Sequence, residues 1–187
     1  MWALVESNNV TQVYTRPKAL TIGNVNYPSN IFTMWSASEL EAIGIYEVVQ
    51  DGTNYKDPKY YNNTNQSFNF ASGTVTASYG TATAKPLNDS GSGDTLVKGL
   101  KTLHKEAINS EASGRLSPTD WMVIRAQEGG TAVPSSITTQ RAAVRTKANA
   151  MCTQIDNAAD VDALAALYVY NNADPAVRPI GEFPSVG

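Results

Sequence analysis

Cysteine and histidine are almost missing from this chain, which has one of each among 187 residues, Cys152 and His104. One thiol closes no internal disulfide and builds no multi-thiolate metal site. Cys152 has Met151 and Ile155 as neighbours and reads as a buried helical thiol. His104 stands beside Lys101 and Lys105 on an expected helix, as a solvated or half-buried side chain rather than a catalytic base. No Gly-x-Ser-x-Gly run accompanies it, so Ser–His hydrolysis is disfavoured. Charge is sparse too, at 17% of residues. With Lys and Arg scattered and a net charge of −3, there is no clustered basic footprint for nucleic acid. Long apolar runs are also lacking. The charge-free stretch Gly73–Ala84 is Thr, Ser, Gly and Ala, and nothing approaches the roughly 20 apolar residues of a membrane helix. The N-terminus has no basic region followed by an apolar one, so export by a signal peptide is not expected and synthesis in a bacterial cytoplasm is the default.

The carboxylates carry no catalytic pattern. Asp51, Asp57, Asp89 and Asp94 fall in turns without the spacing of a calcium loop. The pairs Glu39/Glu41 and Asp160/Asp162 already have helix-capping explanations, so neither argues for a glycosidase. Gly23-Asn24 and Gly91-Ser92-Gly93 lack the Lys-Ser or helix that follows a phosphate loop. The expectation is a non-enzymatic protein with no cofactor and no metal.

What is present is 42% hydrophobic residues, enough for a core in one medium domain or two small ones. The fold class expected is α+β, a small β-rich N-terminal domain with one short helix followed by a helical C-terminal domain. Residues 1–86 form the β-rich part, 87–94 a Gly/Ser linker, 95–172 the helical part and 173–187 a Pro-rich irregular tail. Residues 2–14 read as a hairpin around Ser7-Asn8-Asn9, because Asn tolerates positive φ between β-formers. A second extended pair flanks Gly23-Asn24. Ser36 with Glu39 is a capping-box pattern ahead of a two-turn helix that Gly44 ends, and Trp35 is placed to staple onto Leu40. Ile45–Val49 reads as a strand. Phe68, Phe70, Val75, Ala77 and Tyr79 share a parity around Ser72-Gly73, as a hairpin with one apolar face requires. Tyr55–Asn65 reads as a polar aromatic loop or edge.

Beyond the linker, apolar residues at three and four spacing predict a helix over 95–113 that Gly114 stops. Ser117-Pro118-Thr119-Asp120 reads as a new helix start with Ser117 as N-cap, and Gly129-Gly130 ends that helix. The longest helix is predicted over 136–157, with Ile137, Val144, Ala148, Met151 and Ile155 on one stripe. Asp160 caps a last helix. Both chain ends are expected to be held by packing.

One segment carries a recognisable pattern: Gly114-Arg115-Leu116-Ser117-Pro118-Thr119-Asp120-Trp121-Met122-Val123-Ile124-Arg125, then Glu128, Val133-Pro134 and Arg141-Ala142-Ala143-Val144-Arg145. Over roughly 105–165 it resembles the Leu-x-x-Thr-Asp-Trp and Arg-x-x-Leu-Arg motif of phage tail-fibre assembly chaperones and related phage tail proteins. The N-terminal half, with Met1-Trp2-Ala3-Leu4-Val5 and Ala42-Ile43-Gly44-Ile45-Tyr46, looks like proteins encoded among tail genes of marine phages. The resemblance implies a bacteriophage virion structural protein, tail- or fibre-associated, that acts through protein–protein assembly. A transient fibre chaperone and a capsid decoration protein are the alternatives. Its partners would be other phage structural proteins and copies of itself, with no nucleic acid and no membrane, in the virion. Interface candidates are Trp121, Arg125, Arg141, Arg145, Tyr60 and Tyr61. Asp120 can cap its helix or pair with Arg125, and Arg141 and Arg145 can pair with Asp120, Glu128 or a partner. Trp121 is expected as a core anchor, with an interface role as the alternative. The Tyr- and Asn-rich loop is compatible with contact to a host glycan and equally with ordinary turns.

Overall fold

A computed structural model describes residues 1–184, and the chain divides into two compact units, Met1–Thr83 and Ala84–Gly187. The boundary therefore falls just ahead of the expected linker. The expected tail is described as far as residue 184, and its last three positions lie outside the described residues.

Unit 1 opens with the hairpin β1 (Trp2–Glu6) and β2 (Asn9–Tyr14). Ser7 and Asn8 both take positive φ, 51° and 63°, the primed-turn geometry whose twist matches the strands. The small hairpin β3 (Leu20–Ile22) and β4 (Val25–Tyr27) turns at Gly23-Asn24. A one-turn helix, α1 (Ile31–Met34), follows that no sequence pattern foreshadowed. In α2 (Ala37–Ala42) the capping box is complete: Ser36 Oγ accepts from Glu39 N–H, and the Glu39 carboxylate accepts from Ser36 N–H at 2.8 Å. Trp35 stands edge-on to the Tyr27 ring, with centroids 5.9 Å apart. Gly44 then takes φ 83°, and a Cβ there would lie 2.9 Å from the Val5 carbonyl, so glycine is required where the chain enters β5 (Ile45–Gln50). The two-residue strand β6 (Tyr61–Asn62) precedes β7 (Ser67–Ala71) and β8 (Thr74–Ser78), which turn at Ser72-Gly73, and β9 (Thr83–Ala84) pairs with β6.

The main sheet has strand order β2-β1-β5-β8-β7, antiparallel except for the β5–β8 pair. It curls, so that its edge strands β2 and β7 approach each other as in a half-barrel. Alternation divides its side chains between two cores. Leu4, Tyr14 and Ile45 join Leu20, Ile31, Phe32 and Leu40 on one face. Ala3, Val48, Val75 and Ala77 lie on the other, packed by Tyr46, Phe68 and Phe70. A register shift between Leu4 and Val5 leaves Thr11 of β2 without a partner, so that Val10 joins Val13 on the face of Ala3.

Unit 2 is helical. α3 (Leu100–Leu116) buries Leu100, His104, Ile108 and Ala112, and α5 (Ser135–Asp156) buries Val144, Ala148, Met151 and Ile155. The two run antiparallel, since Lys105 at the start of α3 pairs with Asp156 at the end of α5 at 2.7 Å. Asp160 caps α6 (Val161–Ala166) by accepting from Ala163 N–H at 2.7 Å. The described residues after α6 form no regular element, yet they are packed. Ile180 and Phe183 are buried, Lys147 Nζ donates to the Ile180 carbonyl at 2.9 Å, and the Arg115 guanidinium lies over the Phe183 ring.

The structure departs from four expectations. Residues 87–94 are not a flexible linker but a folded cap on α3: Ser90 bridges Val97, the Asp89 carboxylate accepts from Gly99 N–H at 2.7 Å, and Leu100 and Lys101 donate to the carbonyls of Pro86 and Leu87. Gly91 serves close approach rather than flexibility, since a Cβ there would meet the Thr95 carbonyl oxygen at 2.3 Å, and beyond the segment a Cβ on Gly99 would meet the Asn88 carbonyl carbon at 2.3 Å. α3 therefore starts at Leu100 rather than near 95. Nor does Gly114 end it, because its φ is not positive and the helix continues to Leu116. His104 is buried, 7% exposed, with its ring 4.7 Å from that of Tyr168, so it is a core side chain rather than a solvated or half-buried one.

Candidate functional site

The segment Leu116–Trp121 is where α3 bends into α4 (Asp120–Gln127), through a single tight turn over Ser117–Thr119. Pro118 causes the bend. It has no N–H to give and its ring crowds the carbonyl four residues earlier, so carbonyls of the last turn of α3 lose their helical donors. Side chains replace them. Ser117 Oγ donates to the Gly114 carbonyl at 3.2 Å, and Thr119 Oγ1 donates to the Leu116 carbonyl at 3.0 Å. Ser117 therefore does not act as the N-cap of the following helix. Thr119 holds that position and offers no side-chain cap, while Asp120 sits in the first turn as expected.

Arg141, near the start of α5, closes this bend. Its Nη1 donates to the Leu116 carbonyl at 2.7 Å and to Thr119 Oγ1 at 2.6 Å, and its Nη2 donates to Asp120 Oδ1 at 2.7 Å. The planar guanidinium satisfies three oxygens of one bend at once, which a lysine ammonium cannot do in the same geometry. The Leu, Thr and Asp of the motif are thus the residues that Arg141 grips. Of the pairings open for Asp120, the one made is with Arg141 and not with Arg125.

Held this way, α4 buries none of its residues. Trp121 is 53% exposed and Ile124 58%, three positions apart and so on one side of the helix. Trp121 as core anchor is therefore corrected: the bend swings it outward. The Arg125 guanidinium lies 4.8 Å from the Trp121 ring centroid and stiffens the ring's placement. Arg125 Nε is buried without a hydrogen-bond partner. Arg145 is exposed and borders a groove of about 340 Å³ whose floor includes Ala112 and Ala148 and whose rim includes Asp120. Four of the six sequence candidates, Trp121, Arg125, Arg141 and Arg145, thus belong to one region, Arg141 as its inner clasp and the others toward its surface.

Tyr60 and Tyr61 do not join them. They lie in unit 1 and are 5% and 9% exposed, which removes them as surface rings. An Asx turn is the reason. Asp57 Oδ1 accepts from Lys59 N–H, and both tyrosine amides donate to the Asp57 carbonyl at 3.0 Å, so the chain tucks the two rings inward. Burial pushes the Tyr60 hydroxyl above its ordinary range. Cys152 is half-buried, with Sγ 3.9 Å from Asn109 Oδ1, and burial pushes its thiol up, away from the reactive thiolate form.

Sequence reasoning missed Ile124, Thr119 and the receptive Leu116 carbonyl. The signal for the last two was Pro118 itself, since a proline inside a helical pattern frees carbonyls that something must satisfy. Among the described residues no group of three His, Cys, Asp or Glu side chains is placed to hold a metal ion, and no helix is long and apolar enough to cross a membrane. No protein-family model, no curated protein and no solved structure matches this chain.

Proposed function

We propose that this protein is a structural component of a bacteriophage virion, associated with the tail or its fibres, that assembles through protein–protein contacts made by its helical unit. The observation that carries the reading is α4. It is clamped by Arg141 in a defined position, yet it holds Trp121 and Ile124 in solvent and contributes nothing to the core. Aromatic and arginine side chains on a rigid mount are the composition of interface anchors, and Ile124 adds exposed apolar area beside them. The sparse charge of the chain suits the same use, because uncharged surface is cheap to desolvate on contact. The viral assignment rests on the Leu116–Arg145 resemblance, and other virion proteins and further copies of this chain are the proposed partners.

Quantitative mass spectrometry of gradient-purified particles tests this. A copy number like that of tail components is expected. A copy number near that of the major capsid protein would make it a capsid decoration, and presence in infected lysate with absence from particles would make it a chaperone. Either overturns the reading.

A further inference from the structure

Unit 1 has a groove of about 380 Å³ at the end of β5, lined by Met1, Gln50, Asp51, Gly52, Tyr55 and Tyr79. The size is that of a small-ligand pocket. Two features of its walls restrict the ligand. The rings of Tyr55 and Tyr79 touch, with centroids 5.2 Å apart and planes at 55°, and form a tilted two-ring platform. Beside the platform, Asp51 spends only one oxygen on the protein. Its Oδ1 accepts from Thr53 N–H at 2.9 Å and from Thr53 Oγ1 at 2.6 Å, while Oδ2 takes no hydrogen bond among the described residues. Gly52 adds no side chain between them.

The platform is held in place. Asn54 Nδ2 donates to the Tyr79 carbonyl at 2.9 Å, Tyr55 N–H donates to the Gly52 carbonyl at 3.2 Å, and Asp51 N–H donates to the Ala77 carbonyl at 2.8 Å. These bonds fix the loop to β8, so the site is formed before a ligand arrives.

We propose that this groove binds a neutral saccharide, one sugar ring laying its C–H face on the Tyr55–Tyr79 platform while its hydroxyls donate to Asp51 Oδ2 and exchange hydrogen bonds with the Gln50 amide. An anion is disfavoured by the Asp51 carboxylate. A caged cation is disfavoured because an aromatic cage needs ring faces standing apart around the charge, whereas these two rings are in contact. A sugar uses both elements at once, an apolar face for the rings and vicinal hydroxyls for the carboxylate and the amide. This site is in the other unit from α4, and its test does not depend on the assembly reading.

The experiment is titration of the full chain with maltose, lactose and N,N′-diacetylchitobiose, with choline chloride as the cationic comparison, read by saturation-transfer NMR. Saturable binding of at least one disaccharide, with transfer to its ring C–H protons, is expected. Tyr55→Ala should weaken it by about tenfold or more, Tyr55→Trp should retain it, and Asp51→Asn should weaken it while keeping the Thr53 hydrogen bonds. Tyr55 is exposed, so an unchanged melting temperature for Tyr55→Ala shows that folding is not the cause. No saturable binding by any of the three sugars overturns the proposal. So does binding indifferent to both Tyr55→Ala and Asp51→Asn, and so does choline binding more tightly than the sugars.

Discussion

Arg141 and Asp120 form an ion pair whose two members are unequally placed, and mutation should separate their contributions. The Arg141 side chain is mostly buried and serves three acceptors, whereas the Asp120 side chain is more than half exposed. Removing the arginine strands the Leu116 carbonyl and Thr119 hydroxyl as well as the carboxylate. Arg141→Ala should cost about 2–3 kcal/mol in urea unfolding. Asp120→Asn should cost under about 1 kcal/mol, as for an exposed pair. Equal costs would mean that the pair, not the bend, is what Arg141 supports. Asp89 makes a second residue-scale prediction. The hydrogen bond from Gly99 N–H, followed by that from Thr102, holds its carboxyl below the ordinary value of 3.8. A carboxyl lowered in the folded state adds stability that is complete above that value and is lost as pH falls through the folded one. Acid titration of unfolding should therefore show a loss of stability below about pH 4, and Asp89→Asn should flatten it. An unaltered acid profile in the variant would rule Asp89 out as its source.

At the scale of elements, two glycines that look alike in sequence should respond oppositely to alanine. Gly114 lies inside α3 with open space around its Cβ position, so Gly114→Ala should raise stability by about 0.5–1 kcal/mol through helix propensity. At Gly99 the new methyl would overlap the Asn88 carbonyl, so Gly99→Ala should lower the melting temperature and loosen the start of α3. Thermal melts of the two variants check both signs. The same pair shows what was legible in the sequence. Devices confined to a few neighbouring residues could be read directly: the Ser7-Asn8 turn, the Ser36/Glu39 box, the Ser72-Gly73 hairpin with its shared parity, and the Asp160 cap. Whatever depends on a distant partner could not. Gly91 looks like a linker residue and Gly99 like part of a helix until Thr95 and Asn88, respectively, are seen against them. Tyr60 and Tyr61 look like surface rings until the Asp57 turn folds them under. The parallel joining of β5 to β8 has no local signature, because the strands are separated by more than twenty residues. In the candidate site, the Arg141–Asp120 pair was among the pairings foreseen. The outward swing of Trp121 was foreseen only as the alternative to a core anchor, because it follows from Pro118 bending a helix that the pattern alone would start afresh.

The whole molecule joins two units of different design. One is a curled sheet with a core on each face, and the other is an antiparallel helix pair closed by a packed C-terminal segment and carrying α4 in the open. Each presents aromatic side chains at its surface: Tyr55 beside Tyr79 in the first, and Trp121 on the same side of its helix as Ile124 in the second. In the proposed assembly role, α4 is the joint. The most direct measurement is the incorporation of the Trp121→Ala chain relative to wild type when both are supplied in the same infection, read as a peptide ratio in gradient-purified particles. A large drop in incorporation is expected while the purified variant's stability stays within about 0.5 kcal/mol of wild type, since an exposed side chain leaves no cavity. Equal incorporation of the two chains, or a loss of several kcal/mol of stability, would contradict it.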